Sequence, residues 1–141
     1  MRIMAIDYGD AHTGVAISDP TGFLAGQAFT IDSRDSEFVA QRLAETAARN
    51  EVGELVLGYP KNMNDSLGPR AEKSRELKER LEELTALPVI LWDERRTTVD
   101  AHRILSETGN RGKKRKAKVD AVAATLILEG YLSYRRMKKP E

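Results

Sequence analysis

RIMAIDYGDAHTGVAISDPTGFLAGQAFTI, residues 2–31, is the stretch that decides the fold. It contains three apolar runs, RIMAID, TGVAISD and LAGQAFTI, separated by Gly9-Asp10-Ala11-His12 and by Pro20-Thr21-Gly22. Those separators carry the turn chemistry of hairpins, so the runs read as three successive strands in an antiparallel meander. From Ser36 the apolar spacing lengthens to a helical period, with Phe38, Val39, Leu43, Ala47 and Ala48 on one side and Arg42, Glu45 and Arg49 on the other. Ser36 is the expected N-cap.

Beyond this helix the chain alternates. Glu54 to Gly58 is a short apolar strand, followed by a polar loop from Pro60 to Gly68. Pro69 suits the first turn of a charged helix running to about Leu84. Pro88 to Asp93 is a further buried strand, and Thr97 or Thr98 can cap a helix that Gly109 ends. The segment Asn110 to Lys118 holds six basic residues and no acid, so self-repulsion predicts a flexible linker over about 110–118. A last helix, apolar on nearly all sides, is expected from near Val119, with a tail from about 135 to 141. These elements predict a single α/β domain over 1–141. Its five-stranded mixed sheet has three antiparallel strands, then alternating helix and strand, with right-handed crossovers covering both faces.

Composition narrows the chemistry. The chain of 141 residues has no Cys and two His, which excludes a disulfide framework, a thiolate nucleophile and a thiolate or His-rich zinc site. No stretch approaches the ~20 apolar residues of a membrane span, and the apolar run before Asp7 is too short for a signal peptide. The expected location is the cytoplasm, away from membrane. A net charge of +1 conceals an asymmetry: residues 1–109 carry 13 basic and 19 acidic side chains, the remainder 10 and 3. That basic end suggests a polyanion contact on one surface, although a solvated basic loop would look the same.

Three acids each interrupt or end an apolar run: Asp7 in MAIDYG, Glu94 in LWDERR and Asp120 in KVDAVAA. Burying a charge is costly unless it is paired or binds a metal, and a cluster of carboxylate oxygens suits Mg2+ or Mn2+. Asp7 is expected late in the first strand, Glu94 just past the last, and Asp120 in the first turn of the closing helix. Functional groups in α/β sheets gather outside the carboxyl ends of strands, where Asp7 and Glu94 can meet. Asp120 joins them only if the final helix crosses that edge. Each acid also has an ordinary role open to it: a turn cap for Asp7, an ion pair with Arg95 or Arg96 for Glu94, and a helix-dipole partner for Asp120.

Four blocks carry a resemblance to a known family across nearly the whole chain. They are Ala5-Ile6-Asp7-Tyr8-Gly9 with Gly14 to Asp19; Leu57-Gly58-Tyr59-Pro60 through Asn62-Met63 to Gly68-Pro69-Arg70-Ala71; Asp93-Glu94-Arg95 with Thr97-Thr98; and Val119-Asp120-Ala121 with Ala123-Ala124. In this order the chain resembles the YqgF-like, or RuvX, family, described as Holliday junction resolvases or pre-16S rRNA nucleases. The resemblance implies a ribonuclease H-like fold, a divalent metal, and phosphodiester cleavage by the acids aligned with Asp7, Glu94 and Asp120. One departure stands out: Ala11 and His12 occupy positions where the family commonly has a Lys-Arg pair.

The expected function is metal-dependent endonucleolysis of structured RNA, in 5′-end processing of pre-16S rRNA, or of branched DNA. Convergent carboxylates would hold Mg2+ or Mn2+ for in-line attack at phosphorus. Arg95, Thr97, Thr98, Asn62 and Arg70 are candidate substrate contacts, with helix capping and solvation as their ordinary alternatives. Lys113, Lys114, Arg115 and Lys116 run toward Asp120 and suit a nucleic-acid backbone. Trp92, Tyr59 and Tyr8 fit the core or the cleft wall better than a stacking platform. Two other classes are a noncatalytic nucleic-acid-binding factor and an actin-like phosphate-binding protein, which Asp7-Tyr8-Gly9 with Gly14 also resembles. Length disfavours the last, since such proteins enclose a nucleotide between two domains. The expected assembly state is a monomer or weak homodimer.

Overall fold

Arg2–Asp7 (β1), His12–Ser18 (β2) and Ala25–Asp32 (β3) form the expected meander in a computed structural model that describes residues 1–59, 69–93 and 112–138. Its description omits the side chains of 59, 69–71, 93, 112–120 and 137–138. Ser36–Arg49 (α1), Val52–Tyr59 (β4), Pro69–Thr85 (α2), Val89–Asp93 (β5) and Gly112–Lys138 (α3) follow in order. The five strands make one sheet in the order β3-β2-β1-β4-β5. β1 pairs antiparallel with β2 but parallel with β4, and β4 is parallel to β5. The carboxyl ends of β1, β4 and β5 therefore lie along one edge. The helix expected between Thr97 and Gly109 and the loop from Pro60 to Gly68 fall outside the described residues.

Strand alternation divides the core into two layers. Met4 and Ile6 of β1 join Val15, Ile17, Leu55 and Leu57 beneath α1 and α2, which contribute Val39, Leu43, Leu77 and Leu81. Ile3 and Ala5 point the other way, with Ala16 and Val56, against Ala124, Ile127, Leu128, Tyr131 and Leu132 of α3. Both crossover helices thus share one face, and among the described residues α3 covers the other. Helices cover both faces as expected, although the crossovers supply only one of the two layers. The chain crosses from β3 over β2 and β1 to β4 through α1, then from β4 to β5 through α2, both in the same direction, and two crossovers of the same hand fall on the same side. Small residues open the second layer: Ala5, Ala16 and Ala28 are in register across three strands, which lets α3 approach closely. The Tyr131 hydroxyl donates to Glu54 at 3.0 Å, and burial followed by that carboxylate pushes the phenol up to about 12. Trp92 meets Tyr131 and Tyr134 edge-on, with ring centroids 5.7 and 5.6 Å away.

Three local readings change. The N-cap of α1 is Asp35, not Ser36: its carboxylate accepts from the amides of Glu37 and Phe38 at 3.0 and 3.2 Å. A carboxylate satisfies these amides and also complements the helix dipole. Phe38 and Ala48 are exposed, and Ala40 joins Val39, Leu43 and Ala47 in the buried stripe. The closing helix begins at Gly112, not Val119, and continues to Lys138, so residues 112–118 of the expected linker and 135–138 of the expected tail are helical. Lys, Arg and Ala are good helix formers, and residues 113–121 contain neither Gly nor Pro. Extending an established helix adds a hydrogen bond for each residue fixed, which outweighs the modest repulsion between like charges on its surface.

Arg80 of α2 clamps Glu37 of α1, donating Nε at 3.0 Å and Nη2 at 2.7 Å. That bidentate contact, with Gln41, lowers the Glu37 carboxyl from 4.5 to about 2. A lowered folded-state value means the pair stabilises the fold above the ordinary carboxylate range and loses that effect as pH falls toward 2. Both side chains are substantially solvent-exposed, so salt screens the effect. In urea denaturation, wild type should exceed Glu37→Gln in stability at neutral pH. That gap should close on acidification and narrow in high salt; a pH-independent gap would contradict the assignment.

Candidate functional site

Asp7 is the last residue of β1 and is only 6% exposed. By alternation it shares a face with Ile3 and Ala5, the face that α3 covers. Its partner on β2 is Gly14. On the other side the register pairs Ile6 with Leu57, and the following residue, Gly58, is buried and shares the face of Val56. Neither neighbouring strand therefore sets a side chain beside the Asp7 carboxylate. Gly58 in turn pairs with Trp92 on β5, whose indole stands on the same face. At a strand spacing of about 4.8 Å, Trp92 lies roughly 10 Å across the sheet from Asp7. The result is a carboxylate with glycine at the adjacent register position on each neighbouring strand and an indole one strand further on the same face.

The hairpin after Asp7 is held tightly. A Cβ added to Gly9 would lie 2.4 Å from the carbonyl oxygen of His12, so only glycine fits. The Ser33 amide donates to the Ala11 carbonyl at 3.0 Å, tying the turn to the end of β3. His12 and Asp32 pair across β2 and β3, and His12 Nδ1 lies 2.6 Å from Asp32 Oδ1. Both belong to the Asp7 face, because Ala16, Gly14 and His12 alternate along β2, as do Ala28, Thr30 and Asp32 along β3.

A separate cleft of about 360 Å3 lies on the opposite face, between the turn and the helices, lined by Tyr8, Asp10, Glu37, Lys73, Glu76 and Arg80 among others. Lys73 donates to Asp10 there at 3.2 Å, and burial raises the Tyr8 phenol. Tyr8 packs against the α1–α2 core layer and Trp92 against α3, as wall and core residues should.

Asp120 is the ninth residue of α3, not part of its first turn, so the helix-dipole role does not apply. It stands one turn before Ala124, the first described residue of the sheet-facing stripe that continues through Ile127, Leu128 and Tyr131. Lys113, Lys114, Arg115 and Lys116 occupy the first two turns of α3, and Arg70 the first turn of α2; the side chains of all these residues are outside the description. Glu94 directly follows the end of β5, and with Arg95, Thr97, Thr98 and Asn62 it lies outside the described residues. Among the described residues, no group of three or more His, Cys, Asp or Glu is close enough to share a metal ion. The sequence reading treated His12 only as a departure from a basic pair and passed over Asp32. The available signal was the two-residue period that puts His12, Gly14 and Ala16 on one face.

Comparison with known proteins agrees with this architecture. Residues 1–134 match the family model described as RuvX: Holliday junction resolvase. A Ruminiclostridium cellulolyticum protein described as "Putative pre-16S rRNA nuclease" is 47% identical over 133 residues, covering 94% of each chain. Among solved structures, Thermus thermophilus RuvC in complex with a Holliday junction substrate superposes with a TM-score of 0.69 at 12% identity, over 98% of this chain and 97% of that one. The Fowlpox virus resolvase bound to Holliday junction DNA gives 0.60 at 13% identity, over 99% and 100%. At such identities the two structures establish a shared fold.

The tight turn yields a direct test. Gly9→Ala should destabilise the protein by about 1–3 kcal/mol in urea denaturation, because the new methyl must displace backbone rather than a flexible side chain. Unchanged stability would show that the hairpin is not constrained as described.

Proposed function

The chain belongs to the RuvX family, and we propose that it is a divalent-metal-dependent nuclease that hydrolyses phosphodiester bonds in structured nucleic acid, with precursor 16S ribosomal RNA as its physiological substrate. The observation that carries this reading is the buried Asp7 carboxylate at the carboxyl edge of the central strand, with glycine on both sides. A carboxylate at that edge stands where functional groups of α/β sheets gather. The donor set fits a hard cation: all three candidate ligands, Asp7, Glu94 and Asp120, offer carboxylate oxygens, as Mg2+ and Mn2+ prefer. When bound, such an ion supplies charge stabilisation and an acidified water for in-line attack at phosphorus.

The protein's own residues do the positioning. Asp7 is fixed by strand pairing on both sides of β1, so its carboxylate needs little rearrangement to act. Asp120 rides on a helix whose stripe is locked against Ala5, Ala16 and Val56. Glu94 comes two residues after Trp92, and the proposal has its carboxylate on the indole's face. Arg95, Thr97, Thr98, Asn62 and Arg70 are proposed to grip substrate phosphates, and the basic first turns of α3 to hold the flanking backbone electrostatically.

A ribosomal RNA substrate would be met in the cytoplasm, which is the proposed location. Among the described residues no helix is long and apolar enough to cross a membrane. A four-way DNA junction is the second reading, favoured by the family description and by the fold shared with two resolvases. Resolution of a junction needs two sites related by symmetry, so it also requires a dimer.

Incubation with Mg2+ or Mn2+ against both substrates tests these readings together. Asp7→Asn should lower cleavage by more than about 1,000-fold while thermal melting shows the variant still folded. Full turnover by Asp7→Asn would refute the mechanism, and binding without cleavage by wild type would identify a noncatalytic factor. Replacing Lys113, Lys114, Arg115 and Lys116 with Gln should weaken binding and flatten its salt dependence; unchanged binding would remove α3 from the interface.

A further inference from the structure

The His12–Asp32 pair stands on the face of the sheet that carries Asp7, at the same edge, and nothing in the three-acid mechanism uses it. Gly14 faces Asp7 directly, and His12 is two residues further along the same strand face, about 7 Å beyond. No side chain on β2 intervenes, because the residue between them on that face is glycine. The ring is oriented rather than free. Asp32 holds Nδ1 at 2.6 Å, and a carboxylate only accepts, so Nδ1 carries the proton and Nε2 is the nitrogen left to meet a ligand. The His12 side chain is 30% exposed, enough for contact and too little for free rotation. Its backbone is fixed by the close approach of Gly9 to its carbonyl and by pairing with Asp32.

An imidazole in this position has two states with different uses. Protonated at both nitrogens, it presents Nε2–H and a positive charge, which suits a phosphate oxygen; neutral, with its proton kept on Nδ1 by Asp32, its Nε2 is only an acceptor and repels such an oxygen. Among the described residues two carboxylates share the ring's face. Asp32 of β3 is in contact and Asp7 of β1 stands on the same face, while Asp10 in the turn is drawn to Lys73 on the other side.

We propose that His12, oriented by Asp32, is a phosphodiester-binding residue whose imidazolium grips the nucleic-acid strand one phosphate away from the bond cleaved at Asp7. The proposal rests on the nucleic-acid reading above, and because an imidazole exchanges a charged for a neutral form as pH rises, it predicts a pH-dependent strand affinity. The grip strengthens as the ring gains its second proton and is lost as that proton leaves.

Equilibrium binding in EDTA, where no cleavage is needed, tests it with a hairpin RNA and a four-way DNA junction as separate probes. At pH 6 wild type should bind about tenfold more tightly than His12→Gln, as expected for a hydrogen bond to a charged group. The gap should shrink toward unity at pH 8. The salt slope of His12→Gln at pH 6 should be shallower by about one. His12→Lys should restore tight binding at both pH values, which a merely structural role for the ring would not permit. Melting curves establish that each variant is folded. A His12→Gln affinity equal to wild type at pH 6, or a gap that is the same at pH 6 and 8, overturns the proposal. Failure of wild type to bind either probe overturns it together with the nucleic-acid reading. A pH-dependent gap in a protein that cleaves neither probe would support the proposal and refute only the nuclease.

Discussion

Everything at the proposed site depends on the pairing of β1, antiparallel to β2 on one side and parallel to β4 on the other. That arrangement puts β1 at the centre of the sheet, buries Ile3, Met4, Ala5 and Ile6 completely, and brings the chain out at Asp7 on the edge where β4 and β5 also end. Alternation then leaves no freedom about direction: with Ile6 committed to the α1–α2 layer, Asp7 must point toward α3. A slip of one residue would send the carboxylate into the opposite layer. Burial of the strand is thus what aims the functional group.

The same constraint explains the distribution of glycine and alanine on the α3 face. Alanines in register on β1, β2 and β3 let the helix sit close, and the next row toward the carboxyl edge has Asp7 between Gly14 and Gly58. The side chains of the sheet itself therefore become smaller toward the edge where chemistry is proposed. Among the described residues, Asp7 and the His12–Asp32 pair share that face at this edge. On the other face the charges, Arg80 with Glu37 and Lys73 with Asp10, pair with one another around the α1–α2 cleft.

Much of this was legible in the sequence because it rests on periodicity. The three opening strands, β4, β5 and α2 lie within two residues of their expected bounds, and Asp7 ends its strand as anticipated. The misreadings came where two local signals compete. Asp35 and Ser36 are both good caps, and the choice depends on which side chain can reach the amides of Glu37 and Phe38. The basic run before Val119 reads as self-repelling linker or as helix, and propagation from a firmly packed α3 decides for helix. The placement of both crossover helices on one face, and the His12–Asp32 contact, depend on strand order and register, which no single segment encodes. The link between Asp7 and the acids Glu94 and Asp120 rests on the stripe, the strand end and the family motifs together.

The central claim is that Asp7, Glu94 and Asp120 share a metal ion. Calorimetric titration of Mn2+ into wild type, Asp7→Asn, Glu94→Gln and Asp120→Asn tests it without reference to any substrate. Shared ligation predicts a saturable site in wild type that each single substitution weakens at least tenfold, with the folded state intact by thermal melting. A variant that keeps wild-type affinity at the same stoichiometry would contradict it and leave that acid with a structural role.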